Sequence, residues 1–371
     1  MFNGSYIWSL VIKGGYMKKV DYLLLIAIII ISLFGLLMIY SSSYVWAEYK
    51  FNDPYKFLKS QAIFLIVGYV IMIIVANIPY TKYLNKANII FGVCFLLLIL
   101  VLIPGIGTIR NGSRSWFGIG PLGIQPSEFT KLALIIFTSK YLAHNEKLLK
   151  DIKKGVFPIL GILLLVFGLI MLQPDFGTGV VIVMTIVVLL FVSGVKMGFF
   201  IKIGVLGLIG VATLVIIAPY RLKRIVSFIN PWTDPLGSGF QIIQSLYSIG
   251  PGGLLGLGFG NSIQKHFYLP EPQTDFIFSI ISEEFGFVGI LIVASLFITI
   301  IYRGFKIAIN SEDKFGKFLA FGITFGLSFQ ALLNLMVVVG LIPVTGYTRN
   351  WEKITKVVEA LINKGKNTIL F

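Results

Sequence analysis

Eight apolar runs restrict this chain to one kind of environment. They cover residues 20–40, 63–76, 89–103, 157–172, 180–192, 201–218, 287–301 and 318–341. A bilayer core about 30 Å thick takes roughly 20 apolar residues as helix. Several of the runs reach that length with their flanks. Of the 371 residues 57% are hydrophobic and only 13% charged, and the mean hydropathy is +0.91. A soluble domain is about a quarter charged. The sequence therefore predicts an all-α fold, a polytopic membrane helical bundle.

The net charge of +15 does not point to nucleic acid. Lys and Arg gather in short loops between apolar runs, as the positive-inside rule requires. The single Cys94 excludes an intrachain disulfide. "MKKVDYLLL" at Met17 reads as a natural start, with residues 1–16 as an extension before it. With the N-terminus inside, spans are expected at about 22–43, 57–78, 88–104, 127–143, 156–172, 176–193, 199–218, 275–302 and 317–341. That makes about nine, with a lysine-rich turn after every even one. The loops on the other side are rich in Gly and Pro, and the largest spans about 219–274. They carry Arg110, Arg114, Arg221, Lys223, Arg224 and Lys265. Orientation does not explain cations there. As a set, they suit an anionic substrate.

Several short stretches combine ionisable groups with an apolar setting. "QPSEFTK" opens the fourth span, with Ser127 a candidate N-cap. Glu128 and Lys131 are three apart and share a helix face. They read equally as an interfacial pair orienting the helix or as a functional site. In "QPDFGTG", Asp175 suits a cap for the sixth span, and capping alone would explain it. Arg221 and Arg224, three apart, would face one way on a continuing helix and match phosphate oxygens. Trp116 and Trp232 could stack on sugars or anchor the chain at the interface.

The stretch "PEPQTDFIFSIISEEFGFVG" puts three carboxylates at or inside an apolar span. Asp275 stands at its start, and helix capping is the plain alternative to a chemical role. Partial desolvation there would raise its pKa and make it a better base. On helical geometry Glu283 is about 80° from Asp275 and Glu284 nearly opposite. Both read as hydrogen-bonding groups within the bundle. His144 and His266 are far apart, and no metal-ligand cluster, Cys pair or phosphate-cradling loop occurs.

These stretches resemble the SEDS proteins (shape, elongation, division and sporulation), which include FtsW, RodA and SpoVE. The resemblance rests on "DYLLLIAIIIISLFGLLMIYSSS", "NGSRSWFGIGPLGIQPSEFTKLALI", "QPDFGT", "GFQIIQSLYSIGPGG", "QKHFYLPEPQTDFIF" and "GLIPVTG", spread over about 21–346. The loop before Asp275 is closest to the division and sporulation branch. The resemblance implies an inverting glycosyltransferase that polymerises lipid II on the outer face of the bacterial cytoplasmic membrane. It implies release of undecaprenyl diphosphate, and a class B penicillin-binding protein transpeptidase as partner beside the membrane lipids. It places the essential Asp on Asp275, with Arg114, Glu128, Lys131 and Asp175 at the family's other motif positions. Asp275 would then act as general base, and Arg114, Arg221, Arg224 and Lys131 would meet the diphosphate. An Mg2+ or Mn2+ ion bridging diphosphate and carboxylate is compatible with that chemistry. A lipid-precursor flippase and a noncatalytic division scaffold are the rival classes. Polar residues gather at helix ends and no repeated half is visible, which argues against a transporter.

In the family, "GLIPVTG" leads into a glycine-rich loop and a tenth helix. Here residues 347–371 read "YTRNWEKITKVVEALINKGKNTILF", a basic amphipathic segment too polar to span. The expected organisation is thus a membrane domain over 17–346 followed by a divergent tail. The loss of the tenth helix is expected to impair polymerisation.

Overall fold

The computed structural model describes residues 20–110, 113–118, 123–217, 226–237 and 239–343. Its long helices are α1 (Tyr22–Phe51), α2 (Lys56–Ala76), α3 (Tyr80–Leu100), α4 (Pro126–His144), α5 (Phe157–Leu172), α6 (Phe176–Val192), α7 (Met197–Ile217), α9 (Ile277–Ile309) and α10 (Lys314–Val338). A short α8 (Phe240–Ile249) lies between α7 and α9. Among the described residues these nine long helices match the nine expected spans. Seven, counting the turn that leads into α5, are long and apolar enough to cross a membrane. The protein is a multi-pass membrane protein. α6 is a shorter apolar helix, and α4 carries Glu128, Lys131 and Lys140.

The boundaries differ from expectation where polar turns continue a helix beyond its apolar run. α1 runs to Phe51, and its 30 residues are about 45 Å long, more than the hydrocarbon core. It starts at Asp21, whose carboxylate accepts from Leu24 N at 3.1 Å. Asp21 also pairs with Arg303 at 2.6 Å, tying α1 to α9 at the lysine-rich end. Ser127 does not cap α4. The helix begins at Pro126 with Gln125 at the cap position, because proline needs no N–H partner in the first turn.

Two apolar clusters hold the bundle. Leu134 and Ile135 of α4, Val166 and Ile170 of α5, Ile186 and Leu189 of α6 and Phe318 of α10 form one. Met38, Phe276, Ile280, Val293 and Val338 form the other, where α1, α9 and α10 meet. Glycine brings α10 close to α4 and α6: a Cβ on Gly322 would lie 2.7 Å from Ile135 and 3.0 Å from Leu189. Gly326, one turn on, faces Thr185 and Ile135. α2 buries none of its residues and packs against α1.

A small hairpin, β1 (Thr108–Arg110) and β2 (Ser113–Trp116), is added to the helical bundle. Ser113 Oγ donates to the Gln173 carbonyl, which seats the hairpin on the α5–α6 turn. The segment expected as loop contains α8, whose Ser245 and Ser248 bond to Ser279 of α9. The apolar FQIIQSLYSI sequence buries Phe240, Ile242 and Ile243.

α9 is not one rod. Residue Gly286 breaks it with φ +60°. The cause is an inserted loop. Leu257 N and Gly258 N donate to the Glu283 and Glu284 carbonyls at 2.9 and 3.0 Å. Phe287 N and Val288 N donate to the Gly253 and Leu254 carbonyls at 2.9 and 3.1 Å. The loop thus takes over four groups of the helix ladder, a recognised origin of kinks. A Cβ at Gly286 would stand 2.5 Å from Gly256 N and 2.7 Å from Gly252 O. Gly286→Ala is therefore expected to expel the loop and cost several degrees of Tm in detergent. An unchanged Tm would show that the insertion does not need this glycine.

Candidate active site

Asp275 ends the polar approach to α9. It does not cap the helix: Phe276 holds that position, with no side-chain bond. The capping explanation for Asp275 therefore falls away. Its carboxylate makes no hydrogen bond or ion pair among the described residues. The approach is held instead by buried Pro270, Pro272 and Phe276 and by the Asp275 carbonyl, which accepts from Asn334 Nδ2 of α10 at 3.2 Å. Asp275 is solvent-accessible, with its carboxyl partly desolvated by the protein around it. That desolvation holds its carboxyl above the usual carboxylate range.

Glu128 and Lys131 do pair, at 2.9 Å across one turn of α4. Lys131 is nearly buried (9% exposed) while Glu128 is open. The ammonium has a second partner that sequence reading missed, Gln330 Oε1 of α10 at 2.5 Å. Gln330 and Asn334 are both exposed. They lie four apart on one face of α10 and reach towards Lys131 and Asp275 respectively. Their spacing within "FGLSFQALLNLMVV" was the available signal: two amides one turn apart in an apolar span. Polar groups in a spanning bundle are costly against lipid and usually face the bundle interior or a polar cavity.

Asp175 caps α6, accepting from Thr178 N at 3.1 Å. Its other oxygen accepts from Gln125 Nε2 at 2.9 Å, at the head of α4. Both oxygens are committed, so Asp175 joins the α5–α6 turn to the start of α4. Arg114 sits on the hairpin, with one long bond to the Leu102 carbonyl at 3.4 Å. Its guanidinium has no carboxylate partner among the described residues. Arg110 lies 4.9 Å over the Trp116 ring, which occupies a face expected for sugar stacking. Trp232 packs edge-on to Tyr247. Arg221, Lys223 and Arg224 lie outside the described residues, as do 1–16 and the tail 347–371.

Lys265 is not an outward-facing cation. It is fully buried and pairs with Glu284 at 2.9 Å, and it also donates to the Gly260 carbonyl at 2.5 Å. Glu284 accepts from Ser41 Oγ of α1 at 2.6 Å. Glu283 accepts from Ser262 Oγ (2.5 Å), Ile263 N (2.8 Å) and Ser248 Oγ (3.1 Å). The expectation that both glutamates bond within the bundle is met. Their partners are the loop that precedes Asp275, Ser248 of α8 and helix α1. The network is satisfied, as buried charge must be.

Residues 21–351 match the family model for the cell cycle proteins FtsW, RodA and SpoVE. The chain belongs to this family. Among FtsW/RodA/SpoVE relatives, stage V sporulation protein E of Bacillus subtilis (strain 168) is 51% identical over 88% of this chain and 90% of its own. The probable peptidoglycan glycosyltransferase FtsW of Geobacter sp. (strain M18) is 39% identical over 88% and 89%. A solved chain from a peptidoglycan synthase complex, which coordinates polymerization and crosslinking, superposes with TM-score 0.72 at 29% identity, over 89% of this chain and 90% of that one. The rod shape determining protein RodA of Thermus thermophilus superposes with TM-score 0.64 at 27% identity, over 89% of both chains. The matched range 21–351 spans the whole of this candidate site.

Proposed function

We propose that this protein is an inverting peptidoglycan glycosyltransferase that polymerises lipid II in division or sporulation. One observation carries the reading: the Lys131 ammonium and the backbone carbonyl of Asp275 are both bonded from one polar face of α10, while the partly desolvated Asp275 carboxylate is left uncommitted among the described residues. Asp275 takes the proton from the 4-hydroxyl of the acceptor lipid II. The freed oxygen attacks the anomeric carbon of the lipid-linked donor, the C–O bond to the diphosphate breaks, and undecaprenyl diphosphate departs. Lys131 and Arg114 stabilise the charge that grows on the leaving group, with Arg221 and Arg224 as further candidates from sequence. Glu128 and Asp175 support the site, Glu128 by holding Lys131 and Asp175 by holding the head of α4.

The site lies at the end of the bundle opposite the lysine-rich loops; the positive-inside rule keeps those loops in the cytoplasm, which favours the outer face of the cytoplasmic membrane for the site. Among the described residues no three His, Cys, Asp or Glu side chains form a metal cage. An Mg2+ or Mn2+ ion fits this site only as one that arrives on the substrate diphosphate and finds a carboxylate in Asp275. A class B penicillin-binding protein is the partner that would crosslink the product, in line with the synthase complex whose chain this one resembles.

Purified protein with labelled lipid II tests the reading. Glycan polymer is expected. Translocation across vesicles without polymer would make it a flippase, and neither activity, with or without a transpeptidase partner, would leave a scaffold.

A further inference from the structure

Two amides of α10 have no part in the reaction as described. Gln330 Oε1 accepts from Lys131 Nζ at 2.5 Å, and Asn334 Nδ2 donates to the Asp275 carbonyl at 3.2 Å. Four residues apart, they occupy successive turns on one face, about 6 Å along the axis. Each crosses to a different element, and each of those elements carries one residue of the site.

An ammonium on a four-carbon stem is mobile unless its donors are held. Lys131 has three N–H donors. Glu128 and Gln330 take two of them, and no third partner is found among the described residues. Two fixed donors set the direction of the third, which is left for a ligand. Packing does not require this arrangement. The approach of α10 to α4 is already made by Gly322 and Gly326 against Ile135. An apolar side chain of similar volume at 330 would leave that contact in place.

We propose that Gln330 is a positioning residue that aims Lys131 at the substrate diphosphate, and that Asn334 does the same for the segment carrying Asp275. One helix face then fixes the distance between the cation and the base. This rests on the reading of Lys131 and Asp275 given above.

The test uses the full-length protein in detergent, with undecaprenyl diphosphate binding and lipid II turnover measured separately. A hydrogen bond to a charged group justifies an expected loss of about tenfold or more in binding for Gln330→Leu. Lys131→Met with Gln330→Leu should bind no more weakly than Lys131→Met alone, since the glutamine acts only through the lysine. Asn334→Leu should lower turnover and leave binding unchanged. A general folding defect would produce neither of these two patterns. The proposal is overturned if Gln330→Leu binds as wild type or if the two losses add. It is equally overturned if Asn334→Leu leaves turnover unchanged. Should Lys131→Met itself bind and turn over normally, the assignment of the site falls as well; if only Gln330→Leu is silent, the site stands and the positioning role falls. If Gln330→Leu fails to accumulate, Gln330→Asn replaces it, withdrawing the oxygen by one methylene with the same expected losses.

Discussion

Asp275→Asn is expected to abolish polymer formation from lipid II while the protein keeps its place in the membrane and its Tm. The substitution is isosteric, and the carboxylate has no bond among the described residues to lose. Removing a positioned base costs about 10²–10⁴-fold in rate. The stability side has a definite sign. Desolvation holds the folded pKa of Asp275 above its ordinary 3.8. A carboxyl raised in this way favours the fold below the unfolded pKa, and that advantage is lost as pH rises through the folded one. At neutral pH the charged carboxylate is therefore a small liability, and asparagine removes it. The Tm of the variant should be equal to or slightly above wild type. For the wild type, polymerisation should rise with pH through an acidic limb lying above the ordinary carboxylate range. Polymerisation by Asp275→Asn at the wild-type rate would remove Asp275 from the mechanism, and a Tm several degrees lower would give it a structural role instead.

Lys265→Met is expected to have the largest effect on stability. Both Lys265 and Glu284 side chains are fully buried. Without the ammonium, Glu284 keeps only the Ser41 hydroxyl and the Ser262 N–H. Leaving one partner of a buried pair uncompensated typically costs about 3–5 kcal/mol. The measurable outcome is a sharp fall in Tm and in the amount of protein recovered from membranes. Adding Glu284→Gln should restore much of the loss, because the amide removes the stranded charge and still bonds to Ser41. If Lys265→Met melts like wild type, the pair contributes nothing and the loop is held by other contacts.

The spans were legible because an apolar run must become helix in lipid, whatever it packs against. Their ends were less so. Phe51 and Ile309 lie beyond the apolar runs, where each helix continues through largely exposed turns that hydropathy does not mark. Asp275 could be singled out from its setting, a proline-bracketed approach to an apolar helix. The pairing of Glu128 with Lys131 followed from a spacing of three. The partnership of Lys131 with Gln330 joins residues 199 apart in sequence and needs a tertiary contact. Lys265 illustrates the other difficulty. In sequence it is one more lysine in a loop, and nothing near it shows that the chain folds inward to meet Glu284. Ser127 was misplaced for a local reason: the proline before it takes the first helical position, which puts the cap at Gln125, two residues earlier.

The break in α9 is bridged rather than free. Residues 253–258 bond to Glu283 and Glu284 before Gly286 and to Phe287 and Val288 after it. The glutamate network adds Ser262, Ile263 and Lys265 on the near side. The loop is thus a splint laid across the kink, fastened to the turns that follow Asp275 and to the half of α9 that runs on to Arg303 at the opposite end. A displacement of the loop would therefore load both halves of the helix at once, the half that carries Asp275 and the half that crosses the bundle.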